Sequence, residues 1–512
     1  MDMSTFLRFF KSKAFFIGLA ILFQVLFIVL VLYYLSSEFA IISYLLTILS
    51  TLICIHLVDR DLDGNSKILW ILAIMSFPLF GGALYLLFGG RTIPKKLMIK
   101  DRQALSDYKR YALNNINVLE SNSKDIVLDR MTTLAWSTGY FPVFNNSTVE
   151  YFPTGEEQYI AFLRELQKAE SFIFLEFFII NDGHMWQSIL QVLKDKVDIG
   201  VDVRLIYDDW GCSTYLPSNY DKTLNEMGIK TQIFNEIHPQ LAIQMNNRDH
   251  RKILVIDGKV AFTGGCNISD EYINAKVRFG HWKDMGCMIR GEAVETFTIS
   301  FLQIWNYETE LPSKYEDYIL PAEKQDYHKP DGYVLPFTDS PTDNNHTGKY
   351  MQINVLNCAA KYFWISTPYL ILDQEMIDSL ALAVNNGVDV RIVVPGIPDK
   401  KAVYEVTKGN FETLLRKGIR IYEYSPGFIH GKVCVSDDRS AIVGTVNMDF
   451  RSYNMNYECG VWMHETKCIH NIKKDFKNIF NASREVTLND CAQTGWVVKA
   501  YRSFLKVFSP LL

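Results

Sequence analysis

No two of the nine cysteines form a Cys-x-x-Cys pair. Cys54, Cys212, Cys266, Cys287, Cys358, Cys434, Cys459, Cys468 and Cys491 are odd in number and unpatterned, which argues against a disulfide framework or a structural zinc site. The soluble part therefore reads as sitting in a reducing compartment, with most cysteines serving as small buried apolar residues. Positive charge is not in excess either. The net charge is −5, so nothing global calls for nucleic acid as a partner. Apolar residues are not scarce: 48% hydrophobic against 21% charged excludes a disordered chain, and 512 residues suggest two or three domains.

The apolar residues are concentrated at the front. Residues 14–35 and 39–58 are uncharged apolar runs, and residues 68–88 form a third. Each is as long as the roughly 20 residues that a hydrocarbon core requires. A cleaved signal peptide has a shorter apolar stretch and a small-residue cleavage site, so it does not fit. Arg8, Lys11 and Lys13 precede the first run, and Arg91, Lys95, Lys96 and Lys100 follow the third. The positive-inside rule places both flanks in the cytoplasm, which three full crossings cannot satisfy. Pro78, Gly81 and Gly82 interrupt the third run. The expectation for residues 1–100 is a helical membrane region with two spans and a third segment that bends back or lies in the interface.

Beyond residue 110 short β-rich runs alternate with amphipathic helical stretches. Residues 172–180 read as a strand, 186–197 as a helix and 201–207 as a strand. The order returns with 362–370, 374–385 and 388–394. This is an α/β pattern, a sheet flanked by helices. Gly200-Val201-Asp202-Val203-Arg204 recurs letter for letter as Gly387-Val388-Asp389-Val390-Arg391. Such internal duplication predicts two similar domains facing each other, over 110–312 and 350–512, with a Pro-containing polar linker at 313–349.

Each half carries one polar motif. The first is His250-Arg251-Lys252, Asp257 and Gly264-Gly265-Cys266-Asn267; the second is His430-Gly431-Lys432, Asp437 and Gly444-Thr445-Val446-Asn447. Both read His-x-Lys-x4-Asp-x6-Gly-x-x-Asn. The apolar residues between Lys and Asp predict a strand, on which His and Lys, two apart, project to one face. The Gly-x-x-Asn that follows suits a turn where backbone approaches a ligand and an amide can donate. This set fits phosphodiester chemistry. A neutral imidazole attacks phosphorus, a second histidine handles the protons, and lysines and asparagines hold the non-bridging oxygens. Spacing suggests no metal and no cofactor. One such motif alone is weak; two copies in a duplicated frame are a strong signal.

These residues resemble the phospholipase D superfamily, whose members carry two such motifs in one active site. The layout is similar to that of bacterial cardiolipin synthases. The resemblance rests on the apolar front, Asn246 to Lys252, Thr367-Pro368-Tyr369, Gly444 to Ser452 and Phe508 to Leu512. It implies two phospholipase D-like domains, His250 as nucleophile and His430 as acid and base. It also implies that Asp257 and Asp437 support structure more than chemistry. A downstream carboxylate is implied for each histidine: Glu458 for His430, and Asp284 for His250. The implied reaction transfers a phosphatidyl group from one phosphatidylglycerol to another, at a bacterial cell membrane, by a multi-pass protein with its catalytic region in the cytoplasm. Hydrolysis of the same diester is the alternative. A nuclease is disfavoured by the net charge and the apolar front, and a silent membrane scaffold by two intact motifs.

Other residues carry less. The remaining eight histidines share no spacing. Asp208-Asp209 ends a strand and either lines the site or caps a helix. Glu176, a charge in an apolar strand, either reaches the site or pairs with a basic residue. Residues 496–508 place Lys499, Arg502 and Lys506 at helical spacing. This reads as a docking helix first and an interfacial membrane helix second.

Overall fold

The computed structural model describes residues 26, 37–60, 64–77, 80–82, 84–85, 95–115, 125–236, 247–307, 309, 311–320, 331–343 and 345–509. Two compact units result, one containing Met1–Pro94 and Lys506–Leu512, the other most of Lys95–Leu505. In the first unit, helix α1 (Ser37–Asp59) carries the second apolar run and α2 (Gly64–Ser76) the start of the third. The run at 14–35 lies outside the described residues apart from residue 26. The third run is not one helix. The helix α2 stops at Ser76, and Gly81 packs so closely on the Ala73 carbonyl that a Cβ there would sit 2.1 Å from its oxygen. Among the described residues no helix is long and apolar enough to cross a membrane.

The second unit opens with α3 (Lys95–Asn115) and α4 (Ile126–Gly139) and then builds two sheets. The first sheet contains β1 (Ser147–Phe152), β2 (Phe172–Phe177), β3 (Asp202–Asp208), β4 (Lys230–Phe234), β6 (Lys252–Ile256), β7 (Val260–Gly264) and β9 (Gly286–Gly291). Its order is β1-β9-β7-β6-β2-β3-β4. The second contains β10 (Tyr333–Asp339), β11 (Tyr362–Ser366), β12 (Asp389–Pro395), β13 (Arg420–Tyr424), β15 (Lys432–Ser436), β16 (Ser440–Gly444), β17 (Asn456–His464) and β18 (Ser483–Val486). Its order is β10-β17-β16-β15-β11-β12-β13-β18. The duplication is therefore structural: β9-β7-β6-β2-β3-β4 and β17-β16-β15-β11-β12-β13 are the same arrangement. In each, three parallel strands meet antiparallel ones, at β2 against β6 and at β11 against β15. The repeated pentapeptide starts β3 and β12, and its glycines take left-handed φ values of 91° and 89°, a conformation that costs a Cβ-bearing residue most.

Helices α5 (Gly155–Leu166) and α6 (His184–Asp198) cover one face of the first sheet. Helices α8 (Thr347–Asn357), α9 (Gln374–Asn385) and α10 (Lys401–Arg416) cover one face of the second. The other faces share a single core with α7 (Val294–Trp305) and α11 (Cys468–Asn481), so Phe174, Val255 and Phe301 belong to one cluster with Val433, Val461 and Phe476. The two halves thus face each other across buried apolar surface. Within the expected linker, Tyr333–Asp339 instead forms β10 at the edge of the second sheet. Pro336 is tolerated there because an edge strand can lack one N–H donor. The last helix is α12 (Trp496–Val507).

Candidate active site

Each motif histidine stands two residues before the lysine that opens a strand, His250 ahead of β6 and His430 ahead of β15. The short lead-in strands do not pair within their own halves. Arg248–Asp249, which is β5, runs parallel to Asn456–Tyr457 of β17. Gly427–Ile429, which is β14, runs parallel to His281–Lys283, which is β8. The His250 N–H donates to the Tyr457 carbonyl at 2.9 Å, and the His430 N–H to the Lys283 carbonyl at 2.8 Å. Each histidine is thus stitched by its backbone into the opposite half.

Side chains repeat the exchange. His250 Nδ1 lies 2.9 Å from Glu458 Oε2, and His430 Nδ1 lies 2.7 Å from Asp284 Oδ2. The within-half pairing expected from the sequence, Glu458 with His430 and Asp284 with His250, is therefore wrong. Each carboxylate follows the strand residue that binds the other half's histidine, so backbone and side-chain contacts are fixed together. All four groups are buried.

Burial and charge set their protonation. Burial, then the field of Lys252 and Lys432, holds the His250 imidazole well below its usual pKa. His430 is pushed down to about 4 by burial and Lys432, with Asp284 opposing. Burial lowers Lys252 to about 8 and Lys432 to about 7, against the pull of Glu458 and Asp284 respectively. The carboxylates differ. Burial raises Glu458 to about 7 despite Lys252. Burial acts on Asp284 too, but His430, Lys432 and the Met285 N–H, 2.9 Å from Oδ1, hold it below the usual range. With the proton of each pair on Nδ1, both imidazoles are neutral and each Nε2 carries a lone pair.

The motif aspartates do not join this group. Asp257 accepts the backbone N–H groups of Glu170, Ser171 and Phe172 at 2.9, 2.7 and 2.9 Å. Asp437 does the same for Ala360, Lys361 and Tyr362 at 2.6, 2.9 and 2.9 Å. Each sits in a left-handed turn past its strand, with φ of 53° and 54°. Seven residues of nearly extended chain place it roughly 20 Å from its histidine. They fasten the starts of β2 and β11 and cannot touch a substrate at the histidines. Asp257→Ala is expected to cost about 3 kcal/mol of stability, from three lost charge-assisted bonds, seen as a lower Tm. The kcat of the folded fraction should stay within about threefold of the parent; a large kcat loss at unchanged Tm would contradict the structural role.

The asparagines differ from each other. Asn267 uses Oδ1 to accept from the Ile179 N–H at 3.0 Å and its amide to donate to Tyr272 Oη at 2.8 Å. Asn447 Oδ1 is buried with no hydrogen-bond partner among the described residues. Asp208 caps the one-turn helix Asp209–Cys212 through the Gly211 N–H at 3.0 Å and holds the Asp249 N–H at 3.1 Å, so its role is in the frame. Glu176 forms a buried ion pair with Arg251. Sequence reasoning missed Thr445, whose hydroxyl donates to Glu458. Gly265 stands at the matching place in the first motif, where a Cβ would fall 2.0 Å from Asp284 Oδ1. Comparing Gly-Gly-Cys-Asn with Gly-Thr-Val-Asn was the available signal, and it marks the two carboxylate sites as unequal.

A duplicated arrangement, with one matching stretch in each half, is also what the sequence comparisons find. The chain matches the family described as "Cardiolipin synthase, PLD-like domain" over residues 162–305 and 352–480, one stretch in each half and together more than half of the chain. The chain belongs to the cardiolipin synthase family of phospholipase D-like proteins. Residues 45–90 match a segment described as "Phospholipase_D-nuclease N-terminal". Among relatives of this cardiolipin synthase family member, a protein of Streptococcus mutans described as uncharacterized is 42% identical, over 90% of this chain and 99% of that one. The cardiolipin synthase of Geobacillus kaustophilus is 34% identical over 87% of this chain and 88% of its own. That of Halalkalibacterium halodurans is 31% identical over 92% and 93%. The phosphatidylserine synthase of Haemophilus influenzae superposes with a TM-score of 0.56 at 14% identity, covering 75% of this chain and all of that one, which shows a shared fold.

Proposed function

We propose that this protein makes cardiolipin by moving a phosphatidyl group between two phosphatidylglycerol molecules, at a membrane and with its catalytic region in the cytoplasm. The observation that carries this reading is the pair of buried neutral histidines, each backed by the other half's carboxylate and flanked by a buried lysine. In the first step the His250 Nε2 lone pair attacks phosphorus. The bond to the glycerol oxygen breaks, and His430 delivers a proton to that oxygen. The entering phosphodiester is anionic and favours the protonated form of His430, offsetting burial and Lys432, which disfavour it. In the second step His430 takes the proton from a hydroxyl of the second phosphatidylglycerol. That oxygen attacks phosphorus, the phosphorus–nitrogen bond breaks and His250 is restored. Lys252 and Lys432 hold the non-bridging oxygens, and Glu458 stabilises the charge on the His250 ring during transfer. Asp284 keeps His430 in the tautomer that can shuttle protons through Nε2.

A membrane location is supported by α1, which leaves Tyr44, Leu45, Ile48, Leu49, Leu52 and Ile55 exposed, a contiguous apolar surface that water would penalise. At a bilayer both lipids are concentrated and an alcohol acceptor can outcompete water. The basic residues that flank the apolar segments support a cytoplasmic side for the catalytic region.

The test is purified protein with labelled phosphatidylglycerol in vesicles. Cardiolipin and glycerol in equal amounts are expected. Phosphatidic acid as the sole lipid product would replace transfer by hydrolysis, and no turnover would remove the reading. The same assay run across pH tests the electrostatics. A lysine grips phosphate in its charged form, which is complete below its pKa and lost as pH rises through it. The free enzyme's kcat/KM is therefore expected to fall on the alkaline side as Lys432, at about 7, and then Lys252, at about 8, lose their protons. Lys432→Arg should move that limb upward, because a guanidinium keeps its charge.

A further inference from the structure

The C-terminal helix α12 is packed with its faces reversed. No residue of it is buried, and Trp496, Val497 and Tyr501 are 81%, 60% and 48% exposed. Its basic residues point inward. Lys499 Nζ lies 3.2 Å from Glu412 and Arg502 Nε lies 2.8 Å from Glu405, both on α10. At 100° per residue, Lys499, Arg502 and Lys506 fall within about 60° of one another, while Trp496, Val497, Ala500 and Tyr501 fill an arc of about 140° opposite them. An ordinary docking helix buries the second arc and solvates the first. Here the helix docks as expected, but the polar stripe is the one held by the protein.

We infer that the exposed arc of α12 inserts into the surface of a lipid bilayer. Three observations favour lipid over a protein partner. The arc carries Trp and Tyr, whose apolar bodies and polar tips suit the headgroup boundary. Lys499 and Arg502 are turned to Glu412 and Glu405 on the protein side, so the opposite arc is apolar and uncharged. Lys506 is also grouped with α1 and α2 in the first compact unit, the one that carries the exposed apolar surface of α1. Because Lys499 and Arg502 face carboxylates of the protein, insertion draws chiefly on apolar burial, and its contribution is expected to depend only weakly on salt and on anionic lipid.

The test uses the full chain reconstituted into phosphatidylcholine vesicles, with a bimane label on Val497→Cys. The parent chain treated with the same label gives the background from native cysteines. Lipids bearing a nitroxide near the headgroup end of the acyl chain are expected to quench the label by about twofold or more, with aqueous iodide doing little. Quenching by iodide alone would place the face in water and overturn the proposal. Protection from both quenchers would place it under protein and overturn it equally. The readout needs no turnover, so it stands or falls apart from the chemistry assigned to His250. As a second measurement, Trp496→Asp with Tyr501→Asp should lower turnover on vesicles about tenfold or more while leaving turnover in detergent micelles within about twofold. Equal turnover on vesicles, or equal loss in both media, would overturn a membrane role for the face.

Discussion

His250→Ala is expected to lower cardiolipin formation by about four orders of magnitude or more. The two half-sites are near-copies, so the choice of nucleophile has to come from what differs between them. His250 is held well below its usual pKa by burial and by both lysines, with no carboxylate among the leading influences that favour its charged form except Asp249. His430, at about 4, sits beside Asp284, whose carboxyl is held in its ionised form. A nucleophile must be neutral, and a general acid must be able to accept a proton once an anion arrives; the two environments divide those tasks. His430→Ala should then behave differently from His250→Ala. With a lipid analogue whose leaving group needs no proton, such as a nitrophenyl ester, the first step should survive and a phosphatidyl group should accumulate on the protein. Mass spectrometry of peptides spanning residues 247–256 would locate it on His250. Label found on His430 in the His250→Ala protein would reverse the assignment.

The two histidine–lysine clusters were legible in the sequence because they lie in short local patterns. His, Lys and the apolar strand behind them are neighbours in the chain, and duplication made the pattern unmistakable. The helix over Gln374–Asn385 appears as expected from its periodicity, with Asp373 capping it through the Met376 N–H. The strand starting at Phe172 begins in the right place but ends at Phe177, before the expected Ile180. There the chain leaves the sheet, and Ile180 bridges Ile268 in the following loop. What was not legible depends on which half a short segment joins. The strands β5 and β14 have two and three residues, too few to announce a partner, and a letter-for-letter repeat invites the assumption that each half is self-contained. The reversal of α12 escaped for a related reason. Spacing reveals two faces of a helix, and which face docks depends on Glu405 and Glu412, about ninety residues earlier in the chain.

Asp284→Asn is expected to lower kcat by about three to four orders of magnitude, with the loss appearing only through His430. An amide at this position can present its N–H₂ to Nδ1. That would force the imidazole proton onto Nε2 and remove the lone pair needed to deprotonate the second alcohol. The ionised carboxyl also stabilises the imidazolium that forms when His430 is protonated, a charge otherwise facing Lys432 at 2.9 Å in a buried site. A double-mutant cycle decides between the crossed and the within-half arrangement. If Asp284 acts through His430, the double variant Asp284→Asn, His430→Ala should be no slower than His430→Ala alone, because the partner it orients is gone. Combined with His250→Ala, where the nucleophile is lost but His430 remains, Asp284→Asn should show no comparable masking of its effect on proton transfer. Glu458→Gln should give the mirror result, masked by His250→Ala and not by His430→Ala. The opposite masking would mean that each half supplies its own carboxylate. The 2.7 Å contact of Asp284 with His430 and the 2.9 Å contact of Glu458 with His250 require instead that neither half supplies the carboxylate of its own motif histidine.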